Sequence, residues 1–171
     1  MLKTKKEEFT IRGYRETDRE ACRGLWRELV ERHREIYADP TIGGEHPENY
    51  FDRHLAKVGP TRIWVAASDD KVVGFASLVI EGEEVTLDPL VVSRALRGKG
   101  AGTRLTERVI SEARALGAKY LNAEPVARNA KAFEFYHKLG FANIGHVQLF
   151  MDLTSKKWPR RLKLLNRKFH Y

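Results

Sequence analysis

One stretch, LVVSRALRGKGAGT at positions 90–103, constrains the fold more than any other part of this chain. It begins as an apolar, β-branched run, becomes a glycine-rich loop, and continues from Thr103 with the apolar periodicity of a helix. The first N–H groups of such a helix have no partner within it, and the helix dipole adds positive charge there. The loop supplies two bases and alternating glycines that let an anion approach closely: Arg97, Gly98, Lys99, Gly100 and Gly102. The pattern therefore predicts a phosphate-binding loop.

The spacing of the glycines narrows the choice of ligand. The Walker pattern, Gly-x-x-x-x-Gly-Lys-Ser/Thr, is absent, and so is the dinucleotide pattern Gly-x-Gly-x-x-Gly, because these glycines alternate. What is present is Arg-x-x-Gly-x-Gly, formed by Arg97, Gly100 and Gly102. This pattern resembles the pyrophosphate loop of the Gcn5-related N-acetyltransferases (GNAT), which hold acetyl-coenzyme A.

A second signature follows at the distance that one helix and one strand require. It reads Asn-x-x-Ala-x-x-x-Tyr-x-x-x-Gly-Phe, and its residues are Asn129, Ala132, Tyr136, Gly140 and Phe141. It resembles the other sequence signature of the same family. Two independent motifs in the right order are far more specific than either alone, and the resemblance covers about residues 9–153. One departure is that the segment Arg94-Ala95-Leu96 lacks the proline that is often found there.

Hydrophobic periodicity and breaker residues predict four helices and seven short strands. Helices are expected from Thr17 or Asp18 to about 37, from about 47 to Gly59, from 103 to 116 and from 129 to 139. Strands are expected at 9–14, 61–67, 71–80, 84–92, 120–124, 142–146 and 148–153. The segment 90–124 is a βαβ crossover, so its two strands should be parallel. We expect an α/β protein with a GNAT fold: a mixed, mostly antiparallel sheet of about seven strands flanked by about four helices.

The resemblance implies how the cofactor is held. The strand before the loop would splay from the next parallel strand, with Leu90, Val91 and Val92 lining the acetyl-pantetheine. A backbone N–H near Val92 would polarise the thioester carbonyl. The cofactor contacts implied are Leu90, Val91, Val92, Arg97, Gly98, Lys99, Gly100, Ala101, Gly102, Thr103, Asn129, Ala132, Phe135 and Tyr136.

The resemblance also implies catalytic roles. Tyr136 stands where the family places its general acid, and a phenol with a reference pKa of about 10 is protonated at pH 7. The structural alternative is a packing tyrosine on an amphipathic helix. Glu124 stands where several members have a general base, and Asp88 on the neighbouring strand is the other candidate. The alternative for Glu124 is a solvated carboxylate at a strand end.

Charge is concentrated at the C-terminus. The net charge is +8, and residues 154–171 hold seven of the 31 basic residues and none of the 23 acidic ones. Leu162, Leu165 and Phe169 lie among these bases, so we expect a docked C-terminal helix, with a nucleic-acid contact as the alternative. The domain organisation expected is a tail at 1–8, an N-acetyltransferase domain at 9–153 and a basic extension at 154–171.

Composition sets the remaining expectations. A single cysteine, Cys22, and the lack of a long apolar run or a signal peptide favour a cytoplasmic protein without membrane contact. The six histidines show no metal-ligand spacing, so no metal is expected. The resemblance, in turn, implies an acetyl-CoA-dependent N-acetyltransferase acting on a small-molecule, peptide or protein amine, and we expect a monomer or homodimer. The alternative is a non-catalytic module that binds acyl-CoA or nucleic acid.

Overall fold

The structure is a computed structural model that describes residues 8–154 and 158–171. The predicted N-terminal tail lies outside the described residues, apart from Glu8, as do three residues of the basic extension. The chain forms two compact units, Met1–Glu124 and Pro125–Tyr171.

The larger unit contains three α-helices and a five-stranded sheet. Its helices are α1 (Arg19–Tyr37), α2 (Asn49–Val58) and α3 (Ala101–Ala115). Its strands are β1 (Thr10–Gly13), β2 (Ile63–Ser68), β3 (Lys71–Glu81), β4 (Glu84–Val92) and β5 (Asn122–Ala123). The element order expected for this part of the chain is thus confirmed.

The sheet has the strand order β1-β2-β3-β4-β5, with antiparallel pairs up to β4 and a parallel pair between β4 and β5. The parallel pair confirms the predicted βαβ crossover. Its residue pairs are Thr86 with Asn122 and Leu87 with Ala123. The mixed α/β architecture expected from the sequence is therefore present, with five strands in the sheet of the described chain.

Helices cover both faces of the sheet. Strand β3 is buried over seven consecutive residues, so side chains on both of its faces are shielded from water. On one side, Phe75 of β3 packs against Phe51 of α2 and Trp26 of α1, with ring centroids 5.4 and 6.1 Å apart. Helix α3 packs against β1 to β4 through a row of buried side chains. That row is Ala101, Leu105, Val109 and Ala113.

The smaller unit holds α4 (Ala130–Lys138) and a hairpin of β6 (Arg161–Leu164) and β7 (Arg167–His170). The hairpin corrects the predicted C-terminal helix. Leu165 and Asn166 have φ of 47° and 60°, which is the left-handed conformation that a two-residue hairpin loop requires. The residues on either side of this turn pair across the two strands. Leu165, which was expected on the apolar stripe of a helix, lies at the turn and is 88% exposed.

The two strands predicted at 142–146 and 148–153 are also wrong. The described residues of both segments have no ladder partner, and Ile144 and Met151 are exposed. Alternating polarity produces a strand only where a neighbouring backbone accepts the ladder hydrogen bonds, and the sequence pattern cannot show whether one is present.

Candidate active site

Strand β4 extends beyond the end of its parallel neighbour, β5. Its pairing with β5 stops at Leu87, whereas β4 continues to Val92, paired on its other side with Gly74 of β3. Among the described residues, no strand pairs with the β5-facing backbone edge from 88 to 92. The three residues expected to line the cofactor, Leu90, Val91 and Val92, all lie in this segment.

Gly74 is a contributor to this geometry that sequence reasoning missed. A Cβ added there would lie 2.7 Å from the Val91 carbonyl oxygen, so only glycine allows β3 to approach the end of β4 this closely. A glycine inside an apolar strand pattern is the signal that could have found it.

Two carboxylates stand side by side where the parallel pair ends. Asp88 and Glu124 each follow the last paired residue of their strands, and adjacent strands lie about 4.8 Å apart. Both side chains are open to solvent. Although the Asp88 side chain reaches solvent, the protein atoms packed around its carboxyl group reduce its hydration and raise its pKa; the charge of Glu124 raises the pKa further, and Lys57 on α2 opposes the shift. This pair of carboxylates could attract an ammonium group and accept a proton from it.

The glycine-rich loop joins β4 to α3. A 3-10 turn at Arg94–Leu96 comes first, then Arg97 to Gly100, and α3 begins at Ala101. Gly98 and Gly100 have φ of 78° and 99°, a conformation that favours glycine, and a Cβ at either would meet no atom within 4 Å. No side chain caps the N-terminus of α3. The open space beside the glycines and the uncapped helix end fit a phosphate group.

The bases of the loop are positioned differently from each other. Arg97 folds back, and its Nε donates a hydrogen bond of 2.9 Å to the Val92 carbonyl oxygen, which ties the loop to the end of β4. Lys99 and the rest of the loop as far as Gly100 are exposed, as is suitable for residues that meet a ligand from solvent. Ala101 is buried against the sheet, and Gly102 and Thr103 are half-buried in the first turn of α3.

The second motif forms α4 and its surroundings. The Asn129 side-chain oxygen accepts the Ala132 N–H at 3.3 Å, so this motif residue is the N-cap of the helix. Tyr136 is half-buried, with its ring 5.2 Å from that of Phe135 and 5.3 Å from that of Phe141. The Phe141 N–H donates to the Tyr136 carbonyl oxygen. The motif spacing thus holds the tyrosine ring between two other aromatic rings.

Glu28 and Glu35 on α1 are further residues that sequence reasoning missed. Glu28 accepts hydrogen bonds from the Ser93 hydroxyl and the Arg94 N–H, and Glu35 pairs with the Arg94 guanidinium. The partners lie 59 to 66 residues apart in the chain. No local pattern in the sequence could have indicated these contacts.

Comparison with known proteins decides the family. The sequence model of the acetyltransferase (GNAT) family matches residues 26–141. The chain belongs to the GNAT family. The match includes the glycine-rich loop and the Asn129-to-Phe141 signature, so the family resemblance inferred from these motifs is confirmed, and the protein is an N-acetyltransferase by family.

Relatives of this GNAT protein are named for different acceptors. It is 28% identical over 161 residues to the L-methionine sulfoximine/L-methionine sulfone acetyltransferase of Salmonella typhimurium, covering 91% of both chains. It is 29% identical to the ribosomal protein bS18-alanine N-acetyltransferase of the same organism, covering 61% of this chain and 64% of the relative.

Solved structures agree in fold. An aminoglycoside N-acetyltransferase in complex with CoA superimposes with a TM-score of 0.63 at 16% identity, covering 90% of this GNAT chain and 100% of that one. A GNAT acetyltransferase from Staphylococcus aureus superimposes with a TM-score of 0.66 at 15% identity, covering 81% and 87%. At these identities the likeness establishes the GNAT fold alone.

The remaining features concern metal ligands and membrane-spanning helices. Residues 8–154 and 158–171 contain no group of three or more histidine, cysteine or acidic side chains that could hold a metal ion. Within the same residues, every helix is too short or too polar to cross a bilayer.

Proposed function

We propose that this GNAT protein transfers an acetyl group from acetyl-CoA to a primary amine by direct attack, with Glu124 as general base and Tyr136 as general acid. The observation that carries the proposal is the end of β4. There the β4 edge from 88 to 92, which has no strand partner among the described residues, is followed by the glycine-rich loop and by the N-terminus of α3, which no described side chain caps. The edge suits an extended amide-containing chain, and the helix end suits the phosphates attached to such a chain.

The acceptor amine must lose a proton before or during attack. Glu124 takes that proton in the proposed mechanism, and Asp88 beside it is the alternative base. The two negative charges also favour the approach of a cationic amine. The bound thioester supplies an activated acyl group, and the phenol of Tyr136 donates its proton to the departing sulfur.

Direct attack is supported over an acyl-cysteine route. Cys22 is the only cysteine in the sequence, and it is fully buried in α1. Burial raises the pKa of Cys22 to about 12, so the nucleophilic thiolate is not formed at neutral pH.

The acceptor class that we propose is a primary amine on a small molecule or on a protein. One relative is named for an amino-acid derivative and another for the alanine of a ribosomal protein, so both kinds are included.

Calorimetry with acetyl-CoA, followed by thiol release with a panel of amines, tests this function. The panel contains amino acids and their sulfone derivatives, aminoglycosides, polyamines and alanine-terminated peptides. We expect acetyl-CoA to bind and at least one amine to accelerate thiol release strongly. Tight binding without release by any amine would contradict transferase activity and favour a non-catalytic acyl-CoA-binding module.

A further inference from the structure

A single carboxylate on α1 holds the turn that precedes the glycine-rich loop. Glu28 Oε2 accepts the Arg94 N–H at 2.8 Å, and Glu28 Oε1 accepts the Ser93 hydroxyl at 3.2 Å. The two carboxylate oxygens therefore accept hydrogen bonds from two consecutive residues of one turn. The side chain of Glu28 is half-buried, which strengthens hydrogen bonds to a charged acceptor.

Ser93 is the point from which the loop departs. Its N–H continues the β3–β4 ladder by bonding the Val73 carbonyl oxygen at 2.8 Å, and its own carbonyl oxygen accepts the Leu96 N–H at 2.9 Å. The residue is thus fixed by β3 on one side and begins the 3-10 turn on the other. Glu28 adds the contact from α1 that sets the direction in which the turn leaves the sheet.

Charged side chains surround the Glu28 contact between α1 and the turn. A groove of about 650 Å³ lies between α1 and the turn, and it is lined mainly by charged side chains. Across it, Arg94 also pairs with Glu35, at 2.9 and 3.3 Å, but both of these side chains are exposed, so the pair contributes little. The hydrogen bond between Glu28 and the Ser93 hydroxyl, by contrast, is partly buried.

The consequence concerns the glycines that follow. A Cβ added at Gly98 or Gly100 would meet no atom within 4 Å, so no side-chain packing holds this part of the loop, although the Gly100 carbonyl oxygen accepts the Arg104 N–H of α3. A loop that must be ordered when its ligand arrives loses affinity, whereas a loop held in place beforehand does not. A contact at Ser93 and Arg94 restricts the loop at its β4 end, as α3 restricts it at the other end.

We propose that Glu28 is a positioning residue for coenzyme A, holding the β4–α3 turn so that the loop's N–H groups meet the pyrophosphate in a preformed arrangement. The inference rests on the proposed function, because it assigns this loop to the coenzyme. It implies that Glu28 affects the affinity for coenzyme A without touching the acceptor or the reacting atoms.

Three variants separate this role from a general structural one. Glu28→Ala removes both hydrogen bonds. Glu28→Gln keeps both in neutral form, because the amide oxygen can accept the Arg94 N–H and the amide nitrogen can donate to the Ser93 oxygen. Glu31→Ala is the matched control, since Glu31 lies on the same helix and groove but pairs with Arg34 of α1.

The first measurement needs no ligand. Amide hydrogen exchange over residues 93–100 in the free protein should rise by at least about five- to tenfold in Glu28→Ala, the factor that corresponds to about 1 to 1.4 kcal/mol lost with the two hydrogen bonds. Glu28→Gln and Glu31→Ala should exchange at the wild-type rate. Unchanged exchange in Glu28→Ala would overturn the proposed restraint, whether or not the protein binds acetyl-CoA.

The second measurement is calorimetric. The Kd for coenzyme A should rise about tenfold in Glu28→Ala and stay within twofold of wild type in Glu28→Gln and Glu31→Ala. In turnover, KM for acetyl-CoA should rise while KM for the acceptor and kcat stay within twofold. Wild-type affinity in Glu28→Ala would overturn the positioning role and leave the proposed function intact, whereas a wild-type protein that does not bind coenzyme A would overturn both.

Discussion

The proposed chemistry depends most on Tyr136, whose phenol is the proton donor. Tyr136→Phe keeps the ring and its contacts with Phe135 and Phe141, so the affinity for acetyl-CoA should be unchanged. Turnover should fall by between about ten- and ten-thousand-fold, because the proton donor is lost. Steady-state kinetics across pH measure this. Tyr120→Phe, on a tyrosine that is 80% exposed, is the control, and wild-type turnover in Tyr136→Phe with chemistry rate-limiting would disprove the assignment.

The proposed role of Glu124 as general base is tested by the pH dependence of turnover in Glu124→Gln. Glu124→Gln should lower turnover by about tenfold or more at low pH, where amines with reference pKa values near 8 to 10 are protonated. The loss should shrink as pH rises, because the free amine becomes abundant. The pH profile of kcat/KM measures this, with Asp88→Asn as the matched variant. A defect that is equal at every pH would indicate that Glu124 binds the substrate and does not accept its proton.

His54 on α2 affects stability at acidic pH. Its side chain is 8% exposed, and burial, aided by Lys57, lowers the pKa of His54 to about 4. The unfolded chain, with a reference pKa of about 6.5, then binds more protons than the folded one between these values. The free energy of unfolding should therefore fall as pH drops from about 6.5 to 4, by up to about 3 kcal/mol.

Denaturant unfolding at pH 7, 5.5 and 4.5 measures this dependence. His54→Phe should weaken it, because the titrating group is gone from a site lined by Trp26. His146→Gln, on an exposed histidine, should leave the dependence as in wild type. An equal pH dependence in wild type and His54→Phe would assign the acid sensitivity to other groups.

At the scale of elements, the glycine-rich loop is the part that the sequence specifies best. Alternating glycines between an apolar run and a helical period predict a strand, a loop and a helix, and β4 and α3 have these positions. The end of β5 was less predictable. The expected strand 120–124 has only Asn122 and Ala123 in the ladder, paired with Thr86 and Leu87 of β4, and the extent of such pairing depends on tertiary packing that no local pattern records.

The dependence of strand pairing on tertiary packing also explains why the elements predicted for the smaller unit were wrong. Leu162, Leu165 and Phe169 have the spacing of a helical stripe, but in the structure Leu162 pairs with Phe169 across the hairpin and Leu165 lies in its left-handed turn. Among site residues, Tyr136 and Glu124 were named through motifs and remain predictions. Glu28 was missed, because its partners lie 65 and 66 residues away.

The loop prediction is tested with Gly100→Val. A Val side chain is strained at φ 99° and fills the space beside the N-terminus of α3, so the affinity for coenzyme A should fall about tenfold or more. Gly82→Val is the matched control, since Gly82 also has positive φ and open surroundings but lies in the β3–β4 turn. Calorimetry distinguishes them, and equal affinities in the two variants would remove the phosphate site from this loop.

At the scale of the whole molecule, the basic extension is joined to its own unit through Trp158. The Trp158 ring lies 5.0 Å from the Phe150 ring and 5.0 Å from the Arg128 guanidinium. The β6–β7 hairpin beyond it pairs with itself. Truncation after Thr154 would therefore remove this aromatic contact together with the hairpin, whereas truncation after Pro159 removes the hairpin and its bases but keeps Trp158.

Truncation after Pro159 should leave the affinity for acetyl-CoA and kcat/KM within about twofold of wild type, because both family motifs lie upstream. Calorimetry and thiol release measure this. A large loss in both would place the hairpin at the cofactor or acceptor. RNA binding that disappears on truncation and weakens steeply with salt would instead support a nucleic-acid role for the extension.

The most direct test of the account is the fate of the acetyl group. Isotopically labelled acetyl-CoA is incubated with the protein and the most active amine of the panel, and mass spectrometry quantifies acetylated amine, free acetate and free thiol. We expect one acetylated amine for each thiol released by the wild-type protein, and a proportional loss of both products in Tyr136→Phe. Thiol release accompanied by free acetate, with no acetylated amine, would contradict amine acetylation as the function of this GNAT protein.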